Sequence, residues 1–281
     1  MYEMIFLWAL ALVFIIFAVV QDIRTREIAN WLSFSLIIFA LGFRFFYSLF
    51  EADDFVFFYQ GLIGLGIFFA IGNLLYYGKV FAGGDAKLMI ALGTILPISP
   101  ILSKNFQSFF DFLFIFLCVG FLYIIISSIV LLVKNFKAFK KEFAKQLNKN
   151  KKIMVGILFL SIALLGLGFI ESIFFSFSVL AFITCYLYLY SKAIDEACMI
   201  KKIKTKNLRE GDWLYSDLKI GKKMIKAKWE GLTKKDIIEI RKRYKEIKIR
   251  QGVAFSPVFL IAFVVFAAFI FLNFRLWNPF W

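Results

Sequence analysis

The chain has 281 residues, of which 62% are hydrophobic and only 19% are charged. A soluble domain is typically about 45–50% apolar. A chain of this length cannot bury the additional apolar surface in one or two soluble cores. The mean hydropathy of +0.81 likewise favours a polytopic membrane protein. The sequence contains no histidine, which excludes Ser-His-Asp and Cys-His catalysis and histidine-ligated metals. Its three cysteines form no Cys-x-x-Cys pair, so neither a zinc site nor a disulfide framework is predicted.

Apolar segments long enough to span a membrane recur along the chain, since a span needs roughly 20 apolar residues. In chain order they are 4–20, 31–50, 55–77, 86–102, 109–133, 153–170, 173–190 and 253–273. The fourth carries Pro97 and Pro100 near its end. Only Glu171 and Ser172 separate the sixth and seventh, which could be a tight hairpin or one broken element. We therefore predict an all-α polytopic membrane protein with six to eight transmembrane helices and a small mixed α/β cytoplasmic segment.

The spans and the polar segments between them predict five parts of the chain. They are a membrane core at 1–133, a basic cytoplasmic loop at 134–152, a membrane hairpin at 153–190, a small cytoplasmic domain at 191–252, and a C-terminal transmembrane helix with an external tail at 253–281.

Two patterns predict the mixed α/β character of the small domain. Thr233 and Asp236 open a helical pattern that continues with Ile237, Ile240 and Tyr244, which is typical of a capped, amphipathic helix. Residues 208–226 mix apolar side chains with glycines, which favours short strands.

The net charge of +15 is unevenly distributed and predicts the orientation in the membrane. Of the 34 Lys and Arg residues, 31 lie in four polar regions, 21–30, 78–87, 134–152 and 191–252. All four regions fall on one side if the spans alternate. Because basic loops stay in the cytoplasm, both termini are predicted outside. The excess of positive charge in 191–252 suits an anionic lipid surface, although the ordinary basic character of cytoplasmic loops is the favoured explanation. We expect membrane lipids as partners and no nucleic acid.

Two carboxylates at span boundaries are the strongest candidates for chemistry, because charges are costly there. Asp22 directly follows the first span, and Asp85 begins the fourth. These spans run in opposite directions, so both side chains are predicted at the same depth, on the cytoplasmic face. Two carboxylates a few ångströms apart hold one proton between them. Such a pair serves an aspartic peptidase, because its charged member activates water and its protonated member hydrogen-bonds the scissile carbonyl. This chemistry requires no metal and no cofactor.

Four neighbouring residues could support such a site. Gly83 and Gly84 allow a close approach of the backbone before Asp85. Lys87 either favours the ionised carboxylate or only extends towards lipid headgroups. Asn30 either orients a carboxylate or caps the second helix, and the cap is the favoured interpretation.

A purely structural role is an equal alternative for each aspartate taken alone. Asp22 could form an interfacial ion-pair cluster with Arg24 and Arg26, and Asp85 could be a helix N-cap.

Both aspartates lie in stretches that resemble motifs of the type IV prepilin peptidases. Residues 22–30, Asp-Ile-Arg-Thr-Arg-Glu-Ile-Ala-Asn, resemble the first-aspartate motif D-x-x-x-x-x-I-P-N, with Ala29 in place of the usual proline. Residues 82–88, Ala-Gly-Gly-Asp-Ala-Lys-Leu, resemble the GxGD motif, with Ala82 in place of its first glycine.

Within that family the chain resembles the archaeal prepilin and preflagellin peptidases. Residues 232–236 and 251–258 are similar to the C-terminal region of these enzymes. The bacterial bifunctional enzymes carry a paired-CxxC insertion between the first two spans, whereas this chain has ten residues there and no such cysteines. The archaeal enzymes have six spans, so the pair at 153–190 is either an insertion or an overcount.

The resemblance implies a membrane aspartic endopeptidase in which 1–133 is the catalytic core and Asp22 and Asp85 are the catalytic residues. Its substrates would be type IV prepilin-like or archaeal preflagellin precursors with class III signal peptides. Their short basic leader would be removed at the cytoplasmic face, without methylation of the new N-terminus.

Three other functions remain open at the level of the sequence. A presenilin-like intramembrane protease shares the GxGD motif, but its aspartates lie deep in the bilayer. A transporter could use Asp22 and Asp85 as an ion relay, although it would need polar residues near mid-span. A non-enzymatic assembly or anchoring protein would need neither aspartate.

Overall fold

The computed structural model describes residues 2–51, 54–220 and 223–272. The chain divides into two compact units. The first unit is Met1–Ile124 with Ala254–Trp281, and the second is Ile125–Val253. The predicted external tail, which follows residue 273, lies outside the described residues.

Helices dominate the described part of the chain. In chain order they are α1 (Tyr2–Thr25), α2 (Asn30–Phe50), α3 (Val56–Tyr77), α4 (Gly83–Leu92), α5 (Leu102–Lys134), α6 (Phe136–Lys149), α7 (Lys151–Leu167), α8 (Ile173–Ile194), α9 (Lys234–Arg243) and α10 (Pro257–Phe271).

The lengths and composition of these helices confirm the predicted fold class. Among the described residues, five helices are long and apolar enough to cross a membrane: α1, α2, α3, α5, and α8 with its π-helical continuation to Met199. A sixth candidate combines α6 and α7, which are bent by 75° at Asn150. α10 is apolar but has only 15 residues. The protein is therefore a multi-pass helical membrane protein with a small strand-containing segment.

The prediction of one continuous fourth span at 86–102 is wrong. α4 ends at Leu92, and residues 93–101 contain turns and irregular backbone. Pro97 lacks the backbone N–H that a helix needs and disfavours helical backbone just before it. The chain nevertheless stays buried as far as Pro97.

One further segment differs from its prediction, and another decides between two alternatives that the sequence left open. Residues 136–149 lie within the predicted loop at 134–152 but form α6. The sequence feature that indicates this helix is its amphipathic pattern, in which three phenylalanines and Leu147 recur among lysines at helical spacing. Residues 153–190 contain two separate helices, α7 and α8, where the Ser178 hydroxyl donates to the backbone oxygen of Ser161 at 2.7 Å.

The predicted short strands and capped helix are confirmed in the segment after α8. The strands are β1 (Ile200–Lys204), β2 (Trp213–Leu214), β3 (Leu218–Ile220), β4 (Lys223–Ile225) and β5 (Glu246–Arg250). They form an antiparallel sheet in the order β1-β5-β2 and a separate β3-β4 pair. Thr233 and Asp236 make a reciprocal capping box at the start of α9, which buries Ile237 and Ile240. β1 and β5 were not predicted.

The first unit holds the core around which the candidate site is built. α1 packs on α2 and α10, while α4 packs on α2 and α3. α3 and α4 approach closely at Gly64 and Gly93, where a Cβ on either residue would overlap the backbone oxygen of the other. Only glycine permits this contact, which holds the short α4 inside the unit.

Candidate active site

Asp22 lies in the last turn of α1 and is only 8% exposed. Its Oδ2 accepts a hydrogen bond of 3.1 Å from the backbone N–H of Ser256, the N-cap residue directly before α10. The positive end of a helix dipole and its free N–H groups favour a negative charge at that position. One face of the Asp22 carboxylate is therefore held by a segment more than 200 residues away in sequence.

Asp85 lies in the first turn of α4 and is also 8% exposed. Its carboxyl group is close enough to Asp22 for the two charges to repel each other, and it interacts with the backbone of Ala82. The structure therefore brings together the two aspartates that the sequence singled out. In one buried place, such a pair can hold a proton and a negative charge side by side.

The turn between α1 and α2 is fixed by its own hydrogen bonds. Arg26 has a positive φ of 61°, which reverses the chain directly after α1. The Gln21 side-chain oxygen accepts from the Ala29 N–H at 3.1 Å, and the Thr25 hydroxyl donates to the backbone oxygen of Gln21 at 2.8 Å. These contacts set the path of residues 26–29 and bring Ile28 into the buried interior.

The two glycines before Asp85 differ in their surroundings. A Cβ on Gly84 would lie 3.0 Å from the Cβ of Ile28 and 3.4 Å from its backbone nitrogen. A Cβ on Gly83 would meet only Tyr76, at 3.7 Å. Gly84 is therefore the contact point between the two motif stretches, whereas Gly83 has room for a side chain.

Lys87 and Asn30 contact each other rather than the aspartates. The Lys87 Nζ donates to Asn30 Oδ1 at 2.6 Å and so connects α4 with α2. The favoured interpretation of Asn30 as the cap of α2 is wrong, because the N-cap residue is Ala29 and Asn30 is already helical. The side-chain oxygen that could have capped the helix accepts from Lys87 instead.

Arg44 holds the other end of α4 and was missed by the sequence analysis. Its guanidinium is fully buried and donates to the backbone oxygens of Thr94 (2.8 Å), Phe57 (2.9 Å), Ile95 (3.3 Å) and Pro97. Irregular backbone at membrane depth is tolerated only where its polar groups find partners within the protein. Arg44 supplies those partners for the segment that follows α4.

Gln60 and Asn105 complete the support of this segment. Asn105 Oδ1 accepts from the backbone N–H groups of Ile98 (3.0 Å) and Ser99 (2.9 Å), and its amide donates to Gln60 Oε1 at 2.9 Å. Gln60 in turn donates to the backbone oxygen of Pro100 at 3.1 Å. The available signal was the presence of polar residues in otherwise apolar spans, which usually marks internal hydrogen bonding.

Phe81 connects the second motif stretch to the start of α10. It is 2% exposed, and its ring lies 5.9 Å from that of Phe255 and 6.0 Å from that of Phe259. This aromatic packing holds the N-terminal end of α10 beside the aspartates, where the Ser256 N–H reaches Asp22. Within the described ranges, no group of three or more potential metal-ligating side chains occurs.

The segment that carries this site is similar to a known protein family. Residues 9–132, which include both aspartates, match the model of the type IV leader peptidase family. The match covers less than half of the chain. The resemblance seen in the two motif stretches is confirmed by this match at family level. Residues 133–281, including the Ser256 contact to Asp22, lie beyond the matched range.

Several archaeal proteins are similar to part of the chain. The prepilin peptidase EppA of Methanothermobacter thermautotrophicus is 35% identical over 91 residues, which are 32% of this chain and 23% of that protein. A preflagellin peptidase of Methanocaldococcus jannaschii is 30% identical over 83 residues, 30% of this chain and 35% of that protein. One from Methanococcus maripaludis is 32% identical over a stretch of the same length, again 35% of that protein. The similarity thus spans about a quarter to a third of these relatives. No solved structure matches the chain.

Proposed function

We propose that the chain is a membrane aspartic endopeptidase that removes the short basic leader of type IV prepilin-like or archaeal preflagellin precursors. The observation that carries this proposal is the buried pair of Asp22 and Asp85, which interact electrostatically within the segment that matches the type IV leader peptidase family. Relatives named prepilin and preflagellin peptidases support the class of substrate.

The proposed reaction uses the two carboxyl groups and one water molecule. The ionised carboxylate takes a proton from water, whose oxygen attacks the scissile carbonyl carbon. The protonated carboxyl donates a hydrogen bond to the carbonyl oxygen and stabilises the tetrahedral intermediate. Collapse of the intermediate breaks the C–N bond, and the leaving amine receives a proton from the pair.

The surroundings of the pair suit this chemistry. Burial excludes bulk water, which strengthens electrostatic interactions inside the site. The Ser256 N–H restricts one oxygen of Asp22, while the contact of Gly84 with Ile28 holds the start of α4 against the α1–α2 turn. Two carboxylates brought together by three helices can keep a fixed separation, which a positioned acid and base require.

The proposed cleavage occurs at the cytoplasmic face of the membrane. Asp22 lies in the last turn of α1 and Asp85 in the first turn of α4, so both are at helix ends and not at helix centres. This position disfavours the presenilin-like and ion-relay alternatives, which place carboxylates near mid-membrane. It suits a leader that is cut just before a hydrophobic helix.

The proposal includes no methyltransferase activity. The connection between α1 and α2 consists of residues 26–29 and has no space for an additional domain. The paired cysteines that accompany methylation in the bacterial bifunctional enzymes are also missing from this stretch.

A cleavage assay with asparagine variants tests the proposed function. Detergent-solubilised protein would be mixed with a panel of archaeal prepilin and preflagellin precursors. Asn preserves the shape of Asp but cannot exchange a proton, so Asp22→Asn and Asp85→Asn should each lower kcat/KM by at least about a thousandfold. Asp54→Asn is the matched control, because this aspartate is exposed and accepts a hydrogen bond from the backbone N–H of Val56 at the start of α3. Parent-like cleavage by either dyad variant, with correct folding, would reject the mechanism.

A further inference from the structure

The second unit contains a groove of about 240 Å³ between α6, α7 and α8. Its walls come from the C-terminal end of α6, the first two turns of α7 and the middle of α8. All three elements lie beyond the range that matches the type IV leader peptidase family, so this match assigns the groove no role.

The groove has one polar end and one apolar end. Asn148 and Lys151 line it where α6 passes into α7, and Met154 and Leu158 continue along the same face of α7. Residues spaced three or four apart lie above one another on a helix, and seven residues span about 10 Å. From α8, Phe182 completes the apolar wall. The groove thus offers a cation and an amide at its mouth and a slot of apolar side chains below them.

The polar end lies in a strongly basic stretch of the chain. Residues 134–152 contain eight lysines and a single acidic residue, Glu142. All eight lysines are exposed, while Glu142 already binds Lys145 and Gln146. Each of these features favours an anion at the mouth of the groove.

The helices that form the groove also relate it to the membrane. α8 is long and apolar enough to span a bilayer, and the apolar α7, which has 17 residues, is bent by 75° from α6. α6 is amphipathic and joins α7 to the long apolar α5, so its lysines belong at the membrane–water boundary. A basic pocket at that depth, between membrane helices, is where anionic lipid headgroups bind.

We propose that this groove binds one anionic phospholipid from the surrounding bilayer. Lys151 and Asn148 hold the headgroup phosphate, and the first part of one acyl chain runs along Met154 and Leu158. The small volume of the groove, about 240 Å³, favours a narrow occupant over a helix, which is about 10–12 Å across with its side chains. An acyl chain is narrow enough and matches the apolar walls.

Lipid retention by the full-length protein tests this proposal. The protein would be equilibrated in mixed micelles with equal amounts of dioleoylphosphatidylglycerol and dioleoylphosphatidylcholine, exchanged into lipid-free detergent, and analysed by native mass spectrometry. We expect about one phosphatidylglycerol per chain to be retained, at least fivefold more often than phosphatidylcholine. Lys151→Gln should reduce that preference at least threefold. Lys235→Gln removes the same charge from an exposed position on α9 and should not change it.

A second variant separates the acyl-chain slot from the headgroup contact. Leu158→Trp fills the apolar end without changing any charge, and it should reduce retention of both lipids. Equal retention of the two lipids by the parent, or equal effects of Lys151→Gln and Lys235→Gln, would overturn the proposal. It would also be overturned if glycerol 3-phosphate alone displaced the lipid, or if a peptide occupied the groove. If Lys151→Gln does not fold, Asn148→Leu takes its place in the comparison.

Discussion

At the scale of single residues, the two glycines before Asp85 make different contacts, although nothing in the sequence distinguishes them. Gly84 touches Ile28 so closely that a methyl group would need a shift of a few tenths of an ångström, whereas Gly83 faces Tyr76 at an ordinary contact distance. Because Ile28 belongs to the turn after Asp22, any such shift changes the separation of the two carboxyl groups.

We therefore predict that Gly84→Ala reduces kcat of leader cleavage much more than Gly83→Ala does. A displacement of about 1 Å can cost about a hundredfold in rate when catalytic groups must be aligned. Steady-state cleavage of a single precursor by both variants, compared with the parent, measures the difference. KM should change little, since neither glycine is proposed to bind the precursor. Equal losses in the two variants would mean that the Ile28 contact does not set the geometry of the pair.

Sequence reasoning finds the aspartates but not all of their supports. Asp22 and Asp85 stand out because they are carboxylates at span boundaries inside recognisable motifs. The Ser256 N–H that binds Asp22 is a backbone group, which has no signature in any side-chain pattern. Asn30 satisfies the statistical preference for a helix cap, yet its oxygen accepts from Lys87 because the fold brings that lysine to it. The preference of asparagine for a helix cap is overridden here by a hydrogen bond from a residue distant in the sequence.

At the scale of elements, α4 shows how a ten-residue helix is stabilised inside a membrane protein. The sequence predicted a longer span because residues 93–102 continue the apolar composition. Composition alone does not show that Gly93 packs against Gly64, or that the proline-containing stretch turns within the core. The backbone oxygens exposed by this early helix end are satisfied by Arg44, which a hydropathy argument treats only as an unfavourable residue.

We predict that Arg44→Met strongly destabilises the protein, although methionine is apolar and fits a membrane helix. The change leaves the carbonyls of Thr94, Ile95 and Pro97 without their donor. One buried unsatisfied group costs about 1–3 kcal/mol, so a total loss of at least about 3 kcal/mol is expected. Since about 1 kcal/mol shifts the melting temperature of a domain this large by roughly 2–4 °C, a decrease of roughly 10 °C should be seen.

Thermal unfolding in a fixed detergent checks this expectation. Lys104→Met is the control, since it removes the same charge from an exposed residue near the start of α5. Arg44→Lys should recover only part of the loss, because a single ammonium cannot reproduce the several directed N–H groups of a guanidinium. A melting temperature of Arg44→Met equal to that of Lys104→Met would show that the buried contacts contribute no net stability.

At the scale of the whole molecule, charge distribution and helix order together predict how the protein lies in the membrane. The α1–α2 turn and the α3–α4 connection carry basic residues, whereas the α2–α3 connection begins with Glu51 and includes Asp54. Basic connections remain in the cytoplasm, which assigns opposite sides to the two kinds of connection. The ends of α1 and α4 that carry Asp22 and Asp85 are therefore predicted to lie on the basic side.

We predict that cysteines placed in these connections react from opposite sides of the membrane. In a background with Cys118, Cys185 and Cys198 replaced by serine, Val80→Cys should react with an impermeant maleimide in inverted vesicles but not in intact cells. Glu51→Cys should react in intact cells. Both positions are exposed, so access depends on the side of the membrane and not on burial. Labelling of Val80→Cys in intact cells would contradict this orientation. It would indicate that the aspartates face the outside, where the leader of a cytoplasmic precursor does not reach them.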